Sequence, residues 1–220
     1  ASRAALDPQN HKYTAIQGLP ELREAIARKT LRDSGYPADP ADIVVTNGGK
    51  QAVYEAIQIV ADPGDEVVIP SPYWVSYTEA VKLAGGVPVC VPAAADTNFE
   101  PAVEQLERVR TPATKAVIVN SPNNPSGAVY RETTIRCLTD LLRAKEQEYG
   151  HPIFIVADEP YREIVYDGAV VPCIPLFYDN TIVCYSYSKS FSLPGERIGY
   201  IVVPDTAADF ARIYGAIAGA

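Results

Sequence analysis

The sequence predicts an α/β protein in which a mostly parallel sheet is sandwiched between helices in three layers. Short apolar runs and amphipathic segments alternate along nearly all of the 220 residues, and this alternation is typical of parallel strands joined by helical crossovers. Polar loops follow several of the apolar runs, and ligands of such sheets bind outside the carboxyl ends of the strands. No linker, repeat or low-complexity stretch divides the sequence, so we expect one domain over residues 1–220.

The elements are predicted from the spacing of apolar residues and from signals at the segment ends. The first helix has Leu22, Ala25 and Ile26 at helical spacing, and Gly35 ends it. The second predicted helix begins at the turn 47–50 and ends at about 61. The other predicted helices cover about 19–34, 74–84, 102–109 and 132–149. The predicted strands are 43–46, 66–69, 87–91, 115–119, 153–157, 181–185 and 198–202.

Composition excludes several classes of partner. The formal charge of −8 and the lack of a Lys/Arg run argue against nucleic acid. No apolar stretch approaches the ~20 residues that span a bilayer. The four cysteines are scattered without a CxxC pair, which is typical of reduced thiols in a cytoplasmic protein. His11 and His151 are too isolated to form a metal site.

The loop from Ser186 to Arg197 carries the residues with the most distinctive chemistry. It follows the apolar run 181–185 and contains Lys189 beside two serines. A lysine amine can form a Schiff base with a carbonyl, and hydroxyl and guanidinium groups can bind a phosphate. The alternative is a solvated loop with an ordinary surface lysine, which is where most lysines lie.

Three further loops follow predicted strands. The Asn47–Lys50 turn has two glycines that let backbone amides approach an anion at a helix N-terminus, although glycine also serves such turns for steric reasons alone. The loop 120–127 has three asparagines and two prolines, and an ordinary Asx/Pro turn would have the same composition. Asp158 ends a buried strand, where its carboxylate needs a cation such as a protonated pyridine nitrogen, unless it only caps the next segment.

Together these segments resemble the class I/II aminotransferases, pyridoxal-phosphate enzymes of fold type I, in the aspartate-aminotransferase-like branch. The matching segments occur in the family's order and span nearly the whole chain. They are Tyr13-Thr-Ala-Ile-Gln-Gly18-Leu-Pro-Glu-Leu-Arg23, Asn47-Gly-Gly-Lys-Gln-Ala52, Asp62-Pro-Gly-Asp-Glu-Val67, Ser71-Pro-Tyr-Trp-Val-Ser-Tyr77, Asn120-Ser-Pro-Asn-Asn-Pro-Ser-Gly127, Asp158-Glu-Pro-Tyr161, Ser186-Tyr-Ser-Lys189 and Gly195-Glu-Arg197.

The resemblance implies pyridoxal 5'-phosphate as the cofactor and a role for each site residue. Lys189 is the Schiff-base lysine and moves the proton, with Asp158 and Tyr161 as the other catalytic residues. Asp158 pairs with the pyridine nitrogen, while Asn124 and Tyr161 bind the phenolic oxygen. The phosphate and the ring face are contacted by Gly49, Lys50, Ser186, Arg197 and Trp74.

For two of these residues, Lys50 and Trp74, the residue type affects the expected contact. Lys50 replaces a small hydroxyl residue of some relatives, so its backbone amide is the expected contact. Trp74 is also compatible with an ordinary place in the core.

Tyr13 matches a tyrosine that reaches the phosphate of the neighbouring subunit, which implies a homodimer.

The implied activity is transfer of an amino group from an L-amino acid to a 2-oxo acid by a ping-pong mechanism through the Lys189 Schiff base. A β-C–S lyase of the same fold has the same motifs, and a ligand-sensing domain is a further alternative. A nicotinamide enzyme is disfavoured because no G-x-G-x-x-G follows the first strand. We also expect that residues 1–220 are the large cofactor-binding domain, with an N-terminal arm and a C-terminal small domain outside them.

Overall fold

The computed structural model describes residues 6–102, 105–106 and 111–220, and the predicted helix at 102–109 lies mostly outside these residues. Four of the helices agree with the predicted segments to within about two residues at each end. In chain order the helices are α1 (Pro20–Ser34), α2 (Gly49–Val60), α3 (Ser76–Leu83), α4 (Glu132–Tyr149), the short α5 (Tyr187–Ser190) and α6 (Phe210–Gly219). The α5 turn and α6 are not predicted from the sequence.

All seven predicted strands are present, and they form one sheet. They are β1 (Ile43–Thr46), β2 (Glu66–Ser71), β3 (Val87–Pro92), β4 (Thr114–Asn120), β5 (Phe154–Asp158), β6 (Thr181–Ser186) and β7 (Gly199–Val202). Their order across the sheet is β1-β7-β6-β5-β4-β2-β3. Only the two pairings of β7 are antiparallel, so the predicted mostly parallel sheet is confirmed among the described residues.

Helices cover both faces of the sheet, which confirms the three-layer architecture. Successive side chains of a strand point to opposite faces. Val156 accordingly packs in the cluster under α2, α3 and α6, whereas Ile155 packs in the cluster under α4. Every residue of β5 is buried, as expected for a central strand covered on both faces.

The strand register brings polar residues together at one edge of the sheet. Asn120, the last residue of β4, lies opposite Asp158, the last residue of β5. At the end of β6, Ser186 lies opposite Gly199 of β7. The carboxyl ends of β4, β5 and β6 therefore meet where parallel sheets place their ligand sites.

Candidate active site

A cavity of about 240 Å³ lies at the carboxyl ends of β4, β5 and β6 and at the N-terminus of α2. Nine of the ten residues predicted as cofactor-binding line it. They are Gly49, Lys50, Trp74, Asn124, Asp158, Tyr161, Ser186, Lys189 and Arg197. Tyr13, the tenth, is fully exposed and does not line the cavity.

Asp158 is the most deeply buried acid of the cavity. Tyr77 Oη donates a hydrogen bond of 2.6 Å to its Oδ2. Burial raises the pKa of the Asp158 carboxyl to about 7, and the Tyr77 hydrogen bond acts in the opposite direction. No described residue donates to Oδ1 of Asp158. The carboxyl group therefore has an acceptor oxygen available to a cationic ligand.

The asparagine loop after β4 is fixed against the same residue. Asn120 Nδ2 donates to the backbone oxygen of Asp158 at 2.8 Å. Asn120 Oδ1 accepts from the backbone N–H of Asn124 at 2.7 Å. The side chains of Asn124 and Tyr161 line the same cavity. Burial and then the nearby Asp158 charge raise the pKa of the Tyr161 hydroxyl, while Asn124 lowers it. The amide of Asn124 and the hydroxyl of Tyr161 are thus held as neutral hydrogen-bonding groups.

Lys189 lines the same cavity. It belongs to α5, which begins directly after β6, and Ser186 caps this turn by accepting from the Ser188 amide at 3.2 Å. Lys189 Nζ is 5.8 Å from the centre of the Tyr161 ring. The amine therefore lies over the Tyr161 ring inside the cavity. A lysine amine can attach a carbonyl covalently and transfer a proton.

The turn between β1 and α2 forms a cradle that a side chain would fill. Gly48 has φ of 83°, and a Cβ atom there would lie 2.4 Å from Nη2 of Arg197. A Cβ atom on Gly49 would lie 3.0 Å from Cβ of Ser186. Backbone amides at the start of α2, a serine hydroxyl and a guanidinium therefore converge, and this donor set is suited to a phosphate.

Trp74 and Lys50 line the cavity next to each other. Trp74 is half-buried and packs edge-on against Tyr77, with ring centres 5.5 Å apart. Lys50 Nζ lies 5.1 Å from the centre of the Trp74 ring. The indole thus offers a flat apolar surface to an aromatic ligand.

Tyr77 and Asn120 are not predicted as site residues from the sequence, although both lie in segments that match the family. Tyr77 is almost fully buried, and its hydrogen bond to Asp158 depends on how α3 packs on the sheet. Asn120 could have been found, because it ends the strand that neighbours β5.

Metal and membrane features are absent from the part of the chain that the structure describes. No group of three or more His, Cys, Asp or Glu side chains there could hold a metal ion. No described helix is both long and apolar enough to cross a bilayer. The described cysteines all carry free thiols.

The fold and the cavity together define a family. The sequence model described as "Aminotransferase class I and II" matches residues 1–216, so the chain belongs to this family. It is 44% identical over 208 residues to an aspartate aminotransferase of Streptomyces avermitilis, which covers 93% of this chain and 50% of that protein. It is also 44% identical over 204 residues to a probable aspartate/prephenate aminotransferase of Thermus aquaticus, covering 93% of this chain and 52% of that protein.

Solved structures show the same similarity. An aminotransferase from Eubacterium rectale superposes with a TM-score of 0.94 at 45% identity, covering 99% of this chain and 56% of that one. An aspartate aminotransferase from Thermus thermophilus solved with maleate gives a TM-score of 0.88 at 39% identity, covering 99% and 54%. The chain spans about half the length of the curated relatives it matches.

Proposed function

We propose that the protein containing this chain is a pyridoxal-phosphate-dependent aminotransferase that moves an amino group from an L-amino acid to a 2-oxo acid. The observation that carries the proposal is the single cavity in which the Lys189 amine, the buried Asp158 carboxyl and a glycine–serine–arginine cradle converge. The names of the relatives make aspartate the first amino donor to test.

The cavity residues fit pyridoxal phosphate on two independent observations. Asp158 has a buried acceptor oxygen that a protonated ring nitrogen would satisfy. The Gly48–Gly49 turn leaves a space that a Cβ atom would fill, beside Arg197 and Ser186. Trp74 and Lys189 line the same cavity.

Each residue then has a chemical task. The bound cofactor supplies an aldehyde carbon and an electron-withdrawing ring. Asp158 would hold the proton on the ring nitrogen, and Asn124 and Tyr161 would hydrogen-bond the phenolic oxygen. Lys189 Nζ is the attachment point and the base that removes the proton from the substrate Cα.

The phosphate and the ring are bound by a second set of groups. The Gly49 amide, the Ser186 hydroxyl and the Arg197 guanidinium are the proposed phosphate ligands, and the Lys50 amide joins them. Trp74 would pack against the ring. These residues would hold the cofactor near Lys189, which lines the same cavity.

The wider assignments also belong to this proposal. Residues 1–220 are proposed as the large cofactor-binding domain, and residues outside them are proposed to bind the substrate α-carboxylate, since Arg197 is the only arginine among the described residues that line the cavity. A homodimer and a cytoplasmic location complete the proposal, the latter supported by the free thiols of the described cysteines.

The test uses the full-length protein and a Lys189→Ala variant. Wild-type protein is expected to gain a visible absorbance band with pyridoxal phosphate, and aspartate is expected to bleach it. Lys189→Ala should lose turnover by at least about 10³-fold, because nucleophile and base are removed together. Lys82→Ala, an exposed lysine on α3, is the matched control. Wild-type turnover in Lys189→Ala would exclude the proposal.

A further inference from the structure

A second polar network lies behind the cavity and is centred on Tyr185. This residue precedes Ser186 in β6, and neighbouring strand residues point to opposite faces. Because Ser186 faces the cavity, Tyr185 points away from it. Its side chain is almost fully buried, with a relative exposure of 1%. Its hydroxyl oxygen lies 2.8 Å from Oε2 of Glu163 and 2.7 Å from Oγ of Ser190.

The chemistry of the three groups fixes the direction of both hydrogen bonds. An ionised carboxylate only accepts, and a phenol has a single proton to donate. Tyr185 therefore donates to Glu163, and the Ser190 hydroxyl donates to Tyr185. The result is one directed chain from Ser190 through Tyr185 to Glu163.

Lys29 of α1 anchors the acidic end of this chain. Its ammonium is ion-paired with Glu163 and lies 3.3 Å from a carboxylate oxygen of Asp33. It also lies 4.4 Å from the centre of the Tyr185 ring. The Lys29 and Glu163 side chains are only 14% and 29% exposed, so solvent screens this pair less than a surface pair.

The network connects the two segments that carry the reactive groups. Ser190 is bonded directly to Lys189, and Glu163 lies two residues after Tyr161. Lys189 Nζ and the Tyr161 ring face each other across the cavity at 5.8 Å. We propose that Tyr185 is a positioning residue that ties the Lys189 turn to the Tyr161 loop and so sets the spacing of these two groups during proton transfer. This inference rests on the proposed aminotransferase function.

The decisive variant is Tyr185→Phe, which removes the hydroxyl and keeps the ring that stacks on Tyr200 at 4.8 Å. In full-length protein with pyridoxal phosphate and aspartate, kcat should fall about tenfold, the effect of losing one charge-assisted hydrogen bond in a positioning network. KM should stay within about twofold, because substrate binding is not altered. The kinetic isotope effect with Cα-deuterated aspartate should rise.

A second readout does not depend on turnover. Lys189 is labelled with pyridoxal phosphate, the product is reduced with borohydride, and the modified peptide is quantified by mass spectrometry. Labelling of Tyr185→Phe should be about tenfold slower than labelling of the wild type, since the amine is no longer held in the reactive orientation. Ser190→Ala and the double variant should show the same loss, because all three break one chain of hydrogen bonds.

Tyr200→Phe is the matched control. Tyr200 is buried in the same cluster, and its hydroxyl makes no hydrogen bond to any residue that the structure describes. It should leave kcat and the labelling rate unchanged.

The outcomes separate the inference from the function on which it rests. Wild-type protein that is not labelled at Lys189 overturns both. If the wild type is labelled and active, and Tyr185→Phe has the same kcat and labelling rate, the inference alone is overturned. A variant that loses only thermal stability, or that raises KM at constant kcat, has lost a purely structural contact and also overturns it.

Discussion

At the scale of single residues, Asp158 is held in surroundings that oppose its charge. Its side chain is almost fully buried at the end of β5, and burial raises the pKa of the carboxyl to about 7. The Tyr77 hydrogen bond offsets only part of that effect. A carboxyl group that is ionised in the unfolded chain and resists ionisation in the fold lowers folding stability. This cost is understandable if a cationic group binds beside Asp158.

We expect Asp158→Asn to stabilise the chain without cofactor. The folded pKa of about 7 exceeds the ordinary 3.8 of aspartate. The wild type therefore carries the full cost above pH 7, and the cost shrinks as the pH falls toward 4. The gain in free energy of unfolding should be roughly 2–4 kcal/mol at pH 8 and close to zero at pH 4. Urea unfolding at pH 8, 6 and 4 measures it.

The same variant should bind pyridoxal phosphate more weakly, because a neutral amide cannot hold the ring-nitrogen proton. Stability and cofactor affinity should thus change in opposite directions. An Asp158→Asn protein with the same unfolding free energy as the wild type at all three pH values would contradict the burial argument. Asp140→Asn, at an exposed position on α4, controls for the substitution itself.

At the scale of elements, the strand ends explain why so much of the site could be predicted. Short apolar runs mark buried strands, and the residue that follows each run is placed at the carboxyl edge by the parallel topology. Asp158 and Ser186 are found at one edge for this reason, whereas Asn124 lies in the loop after β4 and is held there by the Asn120 side chain. Their chemical roles remain predictions, since position alone does not establish a contact with a ligand.

The helices that the sequence does not predict depend on tertiary packing. Helix α6 begins after Asp209 without a side-chain cap and contains two glycines, so its local signals are weak. Ile213 and Ile217 are buried against the same cluster as α2, and packing of this apolar face stabilises the helix. The hydrogen bond of Tyr77 to Asp158 likewise joins residues 81 positions apart, a separation that no local pattern encodes.

Gly199 of β7 lies where β6 and the Gly48–Gly49 turn approach each other closely. A Cβ atom there would lie 2.6 Å from the Tyr185 carbonyl oxygen, 2.8 Å from the Gly48 carbonyl carbon and 3.0 Å from the Gly49 nitrogen. All three are backbone atoms, so the turn itself must move. We expect Gly199→Ala to destabilise the fold by about 1–3 kcal/mol and to weaken binding of pyridoxal phosphate, measured by urea unfolding and absorbance titration.

Gly215→Ala provides the contrast. Gly215 lies on the exposed side of α6, and a Cβ atom there meets nothing within 4 Å. Alanine in a helix interior should stabilise by about 0.5–1 kcal/mol. If Gly199→Ala and Gly215→Ala change the free energy of unfolding equally, the close packing around Gly199 does not limit stability.

At the scale of the whole molecule, one proposed site residue stands apart from the rest. Nine candidates line the cavity of a single chain, whereas the Tyr13 side chain is fully exposed in that chain. Leu6 and Ile16, which flank it in sequence, are also largely exposed. This arrangement agrees with the proposal that Tyr13 completes the site of a second copy.

Mixed dimers test that proposal directly. In a dimer that exchanges Tyr13, each site combines Lys189 of one subunit with Tyr13 of the other. Lys189→Ala and Tyr13→Ala subunits are each deficient alone, but a mixed dimer contains one site with both native residues. Random exchange of equal amounts should make half of the dimers mixed, so activity should recover to about a quarter of wild type. Activity no higher than the sum of the separate variants, in a mixture that sedimentation shows to be dimeric and exchanged, would place Tyr13 in the site of its own chain or in none.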